Sequence, residues 1–217
     1  QQISFLTFVK NDPIFCKQYD AYNILLGTGL RISEFIGLTV HDLDMQNRII
    51  HVTHQLTLAR DRTFHVTKPK SWHSIRDIYM SDSVYHSFQH LVEEAKNRKV
   101  KIMIDGYCDF LQVSRDGTIR GRRNFNMSLT SAVKKYNRLH PHTPLPRITP
   151  HTFRHTFCTN MANRGIDIKS LQYLMGHSNV AITLNVYTHA NANTAVQQMA
   201  RLVEFTPAGS RTVPHVG

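Results

Sequence analysis

The chain has 217 residues, of which 41% are apolar and 9% aromatic, enough to bury a core, so disorder over most of its length is excluded. Lys and Arg number 26 against 15 Asp and Glu, a formal charge of +11 that suggests an anionic partner. No run approaches 18 consecutive apolar residues, which excludes a membrane-spanning helix.

In chain order, Ile14, Phe15, Tyr19, Tyr22, Leu25 and Leu26 recur at helical spacing, and Gly27-Thr28-Gly29 ends that helix. A short second helix is expected from Ile32-Ser33-Glu34 to Gly37. Residues 49–56 read as one strand, and the charged tip Ala59-Arg60-Asp61-Arg62 follows. Phe64–Thr67 and Asp77–Met80 are two more short strands. Ser81-Asp82 caps a helix whose core face is Val84, Phe88, Leu91, Val92 and Ala95. Phe110 to Gly117 is a strand with an Asp-Gly turn. From Asn126 the pattern is helical to the end, broken at Pro141–Pro146, Gly165 and Gly176, with a last helix over 191–205. The predicted class is α+β: a mostly α-helical domain with one small antiparallel sheet near its N-terminal part.

Cys16, Cys108 and Cys158 are odd in number and far apart, forming neither a disulfide framework nor a zinc spacing, as in a reducing compartment. The opening Gln1-Gln2-Ile3-Ser4 has no initiator Met and no signal-peptide pattern, so a fragment of a longer cytosolic protein is expected.

The positive charge is unevenly spread. Residues 1–66 hold six basic and six acidic side chains, whereas residues 96–147 hold twelve basic against three acidic, an excess of nine. That concentration favours nucleic-acid phosphate, because Lys and Arg contacts release condensed counterions. Lys68, Arg122, Arg123, Lys134, Lys135, Arg138 and Arg147 are the candidate DNA-binding residues.

The densest chemical signal is Thr149-Pro150-His151-Thr152-Phe153-Arg154-His155. Thr before Pro starts a helix, since Thr caps and Pro at the first position gives up no hydrogen bond. His151 and Arg154 then share a face with His155 and Cys158, while Phe153 and Phe157 seek the core. Cations at a helix N-terminus, where the dipole is already positive, point to a bound anion. His151 and His155 have the spacing of zinc proteases, but Thr152 stands where their general base would be, so no metal is assigned. Gly176-His177-Ser178 lacks the second glycine of a nucleophile elbow.

Leu26 to Glu34, His151-x-x-Arg154, Leu174 to Ser178 and Tyr187-Thr188-His189, in that order and with suitable gaps, resemble the catalytic domain of the tyrosine recombinases, the phage-integrase family. The likeness is greatest to integrases of bacterial conjugative transposons and runs from about Phe5 to Phe205. It implies a catalytic domain over 1–205, a loose or swapped tail over 206–217, and core-binding and arm-binding domains absent from this chain. It also implies a site-specific recombinase that cleaves and rejoins double-stranded DNA through a 3′-phosphotyrosine, integrating and excising a mobile element. The expected assembly is a homo-oligomer, a tetrameric synapse, in a bacterial cytoplasm at the nucleoid. No cofactor is needed, because the phosphotyrosine retains the bond energy.

By the same resemblance Arg31 and Arg154 hold the non-bridging phosphate oxygens, and their planar forks suit that task. His177 adds a hydrogen bond, Tyr187 attacks and His151 accepts its proton. Lys70, six residues before Arg76 and preferred to Lys68, protonates the leaving 5′-oxygen from a β-hairpin formed by residues 68–76. Glu34 holds the first arginine's region in place. A type IB topoisomerase and a catalytically silent DNA-binding module remain alternatives.

Overall fold

The computed structural model describes residues 1–69, 72–187 and 199. The predicted helix over 191–205, the tail over 206–217, Thr188-His189 and Lys70 lie outside the described residues or nearly so, Met199 alone excepted.

Helix α1, Gln2–Asn11, opens the chain and buries Phe5 and Val9. After a 3-10 turn comes α2, Tyr19–Thr28, almost wholly buried. α2 is the spine of the domain and packs on α1, on α4 (Asp82–Lys96) and on α6 (Pro150–Asn163). Phe5, Tyr22 and Phe153 meet ring to ring where α1, α2 and α6 converge. Burial pushes the Tyr22 hydroxyl up to about 12, so it stays a neutral donor to Ser128 Oγ at 2.8 Å.

Gly29 ends α2 in the left-handed region at φ 65°, where a Cβ would lie 2.4 Å from the Phe157 ring. The chain can therefore turn against α6 only with glycine here. α3, Ile32–Gly37, follows at once.

The β structure comprises three small antiparallel sheets among the described residues, where one was expected. β1 (Leu43–Asp44), β2 (Ile49–Val52) and β5 (Arg76–Tyr79) form the first, in that order. β3 (Gln55–Leu58) and β4 (Phe64–Thr67) form a separate hairpin, and β6 (Met103–Ile104) and β7 (Tyr107–Cys108) a third. The expected strand over 49–56 breaks because His54 turns inward, its Nε2 lying 2.9 Å from the Gly37 carbonyl, and is buried beside Asp42. Residues before and after that break belong to different sheets.

α5, Arg122–Leu139, begins four residues ahead of the expected start and buries Phe125, Leu129, Ala132, Val133 and Tyr136. Asn137 then exchanges two hydrogen bonds with the Leu145 backbone, which fixes the Pro-rich connection to α6. Thr149 caps α6 by accepting from the Thr152 amide at 3.2 Å, with Pro150 in the first turn, as the sequence requires. α7, Ile168–Met175, is capped by Asp167 and stops at Gly176, left-handed at φ 58°. α8, Val180–Tyr187, is the last described helix. α7 and α8 pack with α6 around a satellite core of Phe157, Cys158, Ala162, Leu171 and Met175.

Candidate active site

The site is organised by Glu34, the third residue of α3, which is 2% exposed. Its Oε2 accepts from the Arg31 amide at 2.8 Å, closing the first turn of the helix. Its Oε1 accepts from Arg31 Nη1 at 2.7 Å, and both oxygens accept from Arg76, at 3.1 and 2.9 Å. Arg76 arrives from the inward face of β5, and its guanidinium also donates to the Leu174 carbonyl at 2.7 Å and the Ser74 carbonyl at 2.8 Å. Burial raises the Glu34 carboxyl, but Arg76 and then Arg31 outweigh it and hold the group below its ordinary range. One carboxylate thus fixes two arginines, one three residues before it and one 42 residues after it.

Arg31 reaches past Glu34 to the Gly176 carbonyl, with Nη2 at 2.7 Å. Arg154, in the second turn of α6, donates to the Gly29 carbonyl at 2.7 Å and to the Met175 carbonyl. Three arginines therefore converge on successive carbonyls of one helix end: Leu174, Met175 and Gly176. That end is the negative pole of α7, which offsets part of their mutual repulsion. A Cβ at Gly176 would lie 3.1 Å from the His73 carbonyl and 3.2 Å from Arg31 Nη1, so the turn is as tight as the arginines that grip it.

Arg154 is 5% exposed and hydrogen-bonds no carboxylate among the described residues. Burial, and then the charge of Arg31, push it down to about 9, so it is still a cation at pH 7. A buried guanidinium held by carbonyls alone has donors and charge to spare for an anion.

His177 follows Gly176 and lines a cleft of about 430 Å³ with Arg31, Glu34, Gln55, Pro69 and Ser178. Burial, then Arg154, Arg31, Arg76 and His151, push its imidazole down to about 4, so it is neutral at pH 7. His177 Nδ1 lies 3.0 Å from Thr183 Oγ1 on α8. Four residues beyond Thr183, Tyr187 ends α8.

The structure brings Arg31, Arg154 and His177 together, and α8 runs from beside them to Tyr187. His151 stands exposed at the start of α6, near enough to act electrostatically on His177. Lys70 lies outside the described residues, though Pro69 before it lines the cleft. Residues 68–76 are not themselves the hairpin: β3 and β4 form it, and Lys68 and Pro69 follow its second strand.

Arg154 also departs from the expected helix face, being buried with Cys158 while His151 and His155 are exposed. Of the basic residues expected on DNA, Lys68, Arg122, Arg123, Lys134, Arg138 and Arg147 are exposed. Lys135 is engaged within the fold, 2.6 Å from Asp12, whose carboxyl it holds below the usual range.

Sequence reasoning gave no function to Arg76 or Thr183. The signal for Arg76 was its place in strand alternation with buried Ile78; for Thr183 there was none. The described residues include one group with metal-ligand spacing, His41, Cys108 and Asp109, within 4.8 Å of one another. None of the three lines the cleft, and Asp109 is already bound by Lys101 at 2.7 Å.

The chain is similar to known proteins over most of its length. The transposase from transposon Tn916 of Enterococcus faecalis is 44% identical over 202 residues, 93% of this chain and 49% of that protein. The tyrosine recombinase XerC of Chlorobaculum tepidum is 31% identical over 170 residues, 78% of this chain and 44% of that protein. The chain thus spans about half the length of these relatives. Among solved structures, the Tn1549 transposon integrase in complex with transposon right end DNA superposes with a TM-score of 0.84 at 45% identity, covering 94% of this chain and 64% of that one. A model of the phage integrase family matches residues 1–194, and the chain belongs to that family.

Proposed function

We propose that the chain is the catalytic part of a site-specific DNA recombinase that cleaves and rejoins strands through a 3′-phosphotyrosine, integrating and excising a mobile element. The observation that carries this reading is the convergence of Arg31, Arg154 and His177 at the end of α7, followed directly by the helix that ends in Tyr187. Buried or half-buried guanidiniums with spare donors suit a phosphodiester passing through a charged, five-coordinate phosphorus.

The Tyr187 oxygen attacks phosphorus, with His151 taking its proton. The bond to the 5′-oxygen breaks, and Lys70 gives that oxygen a proton. Arg31 and Arg154 hold the non-bridging oxygens, to which His177 donates. A 5′-hydroxyl from a partner strand reverses the step, so bonds and protons balance without a cofactor. Lys68, Arg122, Arg123, Lys134, Arg138 and Arg147 act on the backbone of double-stranded DNA, neutralising phosphates without reading sequence. Strand exchange requires more than one protomer, and the working form is a homo-oligomer on DNA.

The test is incubation of the full-length protein with nicked duplexes carrying the ends of its mobile element, resolved on a denaturing gel. The reading expects a covalent protein–DNA band and joined strands from two duplexes. Absence of both refutes it. Relaxation of a separately supplied supercoiled plasmid, without joining of two duplexes, would make the protein a topoisomerase.

A further inference from the structure

We propose that Thr183 is a positioning residue: its hydroxyl donates to His177 Nδ1, fixing the tautomer that carries the ring proton on Nε2. The proposal rests on the recombinase reading for its kinetic consequence, but not for the hydrogen bond itself.

The direction of the bond follows from what surrounds it. Thr183 is fully buried, and its Oγ1 lies 3.0 Å from His177 Nδ1. A threonine inside a helix ordinarily sends its hydroxyl proton back to the carbonyl four residues earlier. Thr28, Thr130 and Thr156 do so here, at 2.6, 2.8 and 2.9 Å. Thr183 makes no such bond, and His177 is its hydroxyl's one hydrogen-bond partner among the described residues. If Nδ1 carried the proton and donated, the hydroxyl's own hydrogen would be buried with no acceptor among the described residues. If the hydroxyl donates, its hydrogen and the Nδ1 lone pair are both satisfied. The second arrangement is the stable one.

The consequence for His177 is specific. The ring is neutral at pH 7, because burial and the three surrounding arginines oppose a further positive charge. A neutral imidazole has one N–H, and with Nδ1 accepting, that N–H is on Nε2. His177 lines the cleft, so the donor it offers a phosphate oxygen is fixed before substrate arrives.

The bond also links two elements that must be in place together. His177 belongs to the turn gripped by the arginines, whereas Thr183 belongs to α8, one turn ahead of Tyr187. Docking of the helix that carries the nucleophile therefore sets the tautomer of the residue facing the phosphate.

Thr183→Val keeps the shape and removes the hydroxyl; Thr183→Ser restores the hydroxyl with less bulk. Side-chain 15N NMR of His177 at pH 7 reads the tautomer directly. Wild type and Thr183→Ser should carry the proton on Nε2, and Thr183→Val should lose that preference. Single-turnover cleavage of the nicked duplex should slow by roughly tenfold or more in Thr183→Val and recover in Thr183→Ser. In a His177→Ala background, Thr183→Val should cost nothing further, because its effect passes through the ring.

A proton on Nδ1 in the wild type overturns the proposal. So does an equal cost of Thr183→Val with and without His177. Should Thr183→Val not fold, the wild-type and Thr183→Ser spectra still decide the tautomer. If the wild type cleaves no duplex at all, the recombinase reading fails while the spectra still decide the hydrogen bond.

Discussion

Glu34→Gln is the perturbation whose size the structure states most directly. The carboxylate takes four hydrogen bonds, two from Arg31 and two from Arg76, at 2.7–3.1 Å. Glutamine offers one carbonyl oxygen and an amide that is itself a donor, so two of the four contacts would set donor against donor. The Arg76 side chain is 0% exposed and would keep its charge with no anion beside it, whereas Arg31, at 33%, can turn to water. Removing one partner of a buried pair costs ~3–5 kcal/mol, nearly all of it here from Arg76. In a domain of this size each kcal/mol lowers the melting temperature by about 2–4 °C, so calorimetry at pH 7 should show a fall of roughly 6–20 °C. The pH dependence has a fixed sign. Arg76 and Arg31 hold the folded carboxyl below its unfolded value, so its stabilisation is complete above about pH 4.3 and lost as pH falls through the folded value. The gap between wild type and Glu34→Gln should therefore be flat near pH 7 and close in acid. A variant melting within about 2 °C of wild type at pH 7, or a gap that widens in acid, would refute this account of the network.

Gly176→Ala should lose about 1–2 kcal/mol, from the left-handed backbone alone, in urea unfolding. It should also slow cleavage, since the added carbon meets Arg31 Nη1 at 3.2 Å. Arg154→Lys should cleave about a hundredfold more slowly at unchanged DNA affinity, because one ammonium cannot span the Gly29 and Met175 carbonyls and still face a phosphate. Equal single-turnover rates would contradict that. Lys70→Ala should be rescued by a substrate with a 5′-sulfur leaving group, which departs without a proton, whereas Lys68→Ala should weaken binding of both substrates alike. Rescue of Lys68→Ala instead would exchange the two roles.

Much of this was legible in the residues, where one local rule decided the outcome. Thr149-Pro150 started α6, glycine ended α2 and α7, and the apolar stripe from Val84 to Ala95 gave α4 its buried face. Other features depended on partners distant in sequence. The strand expected over 49–56 broke because His54 found the Gly37 carbonyl, a contact no pattern of alternation contains. Alternation with Ile78 can aim Arg76 inward, but its role depends on Glu34, 42 positions earlier, as its counterion. Helical spacing alone puts Arg154 on one face with His151, His155 and Cys158. In the structure it lies within the buried stripe Pro150, Phe153, Arg154, Phe157, Cys158 and Ala162, while His151 and His155 stay exposed. Which edge of that face is covered depends on the elements packed against α6, which spacing does not contain. Helix α1 was not read at all, since its apolar residues gain a helical face only by packing Phe5 and Val9 on the core.

The central claim is that Tyr187 is the nucleophile, and one measurement addresses it directly. The full-length protein is trapped on a nicked duplex carrying the ends of its element, digested with protease, and mapped by mass spectrometry for the peptide that carries the nucleotide. The chain contains eight tyrosines. The account predicts that the nucleotide is on Tyr187 alone, and that Tyr187→Phe binds DNA with near wild-type affinity and gives no adduct. A nucleotide on any other residue, or an adduct that persists in Tyr187→Phe, would contradict it.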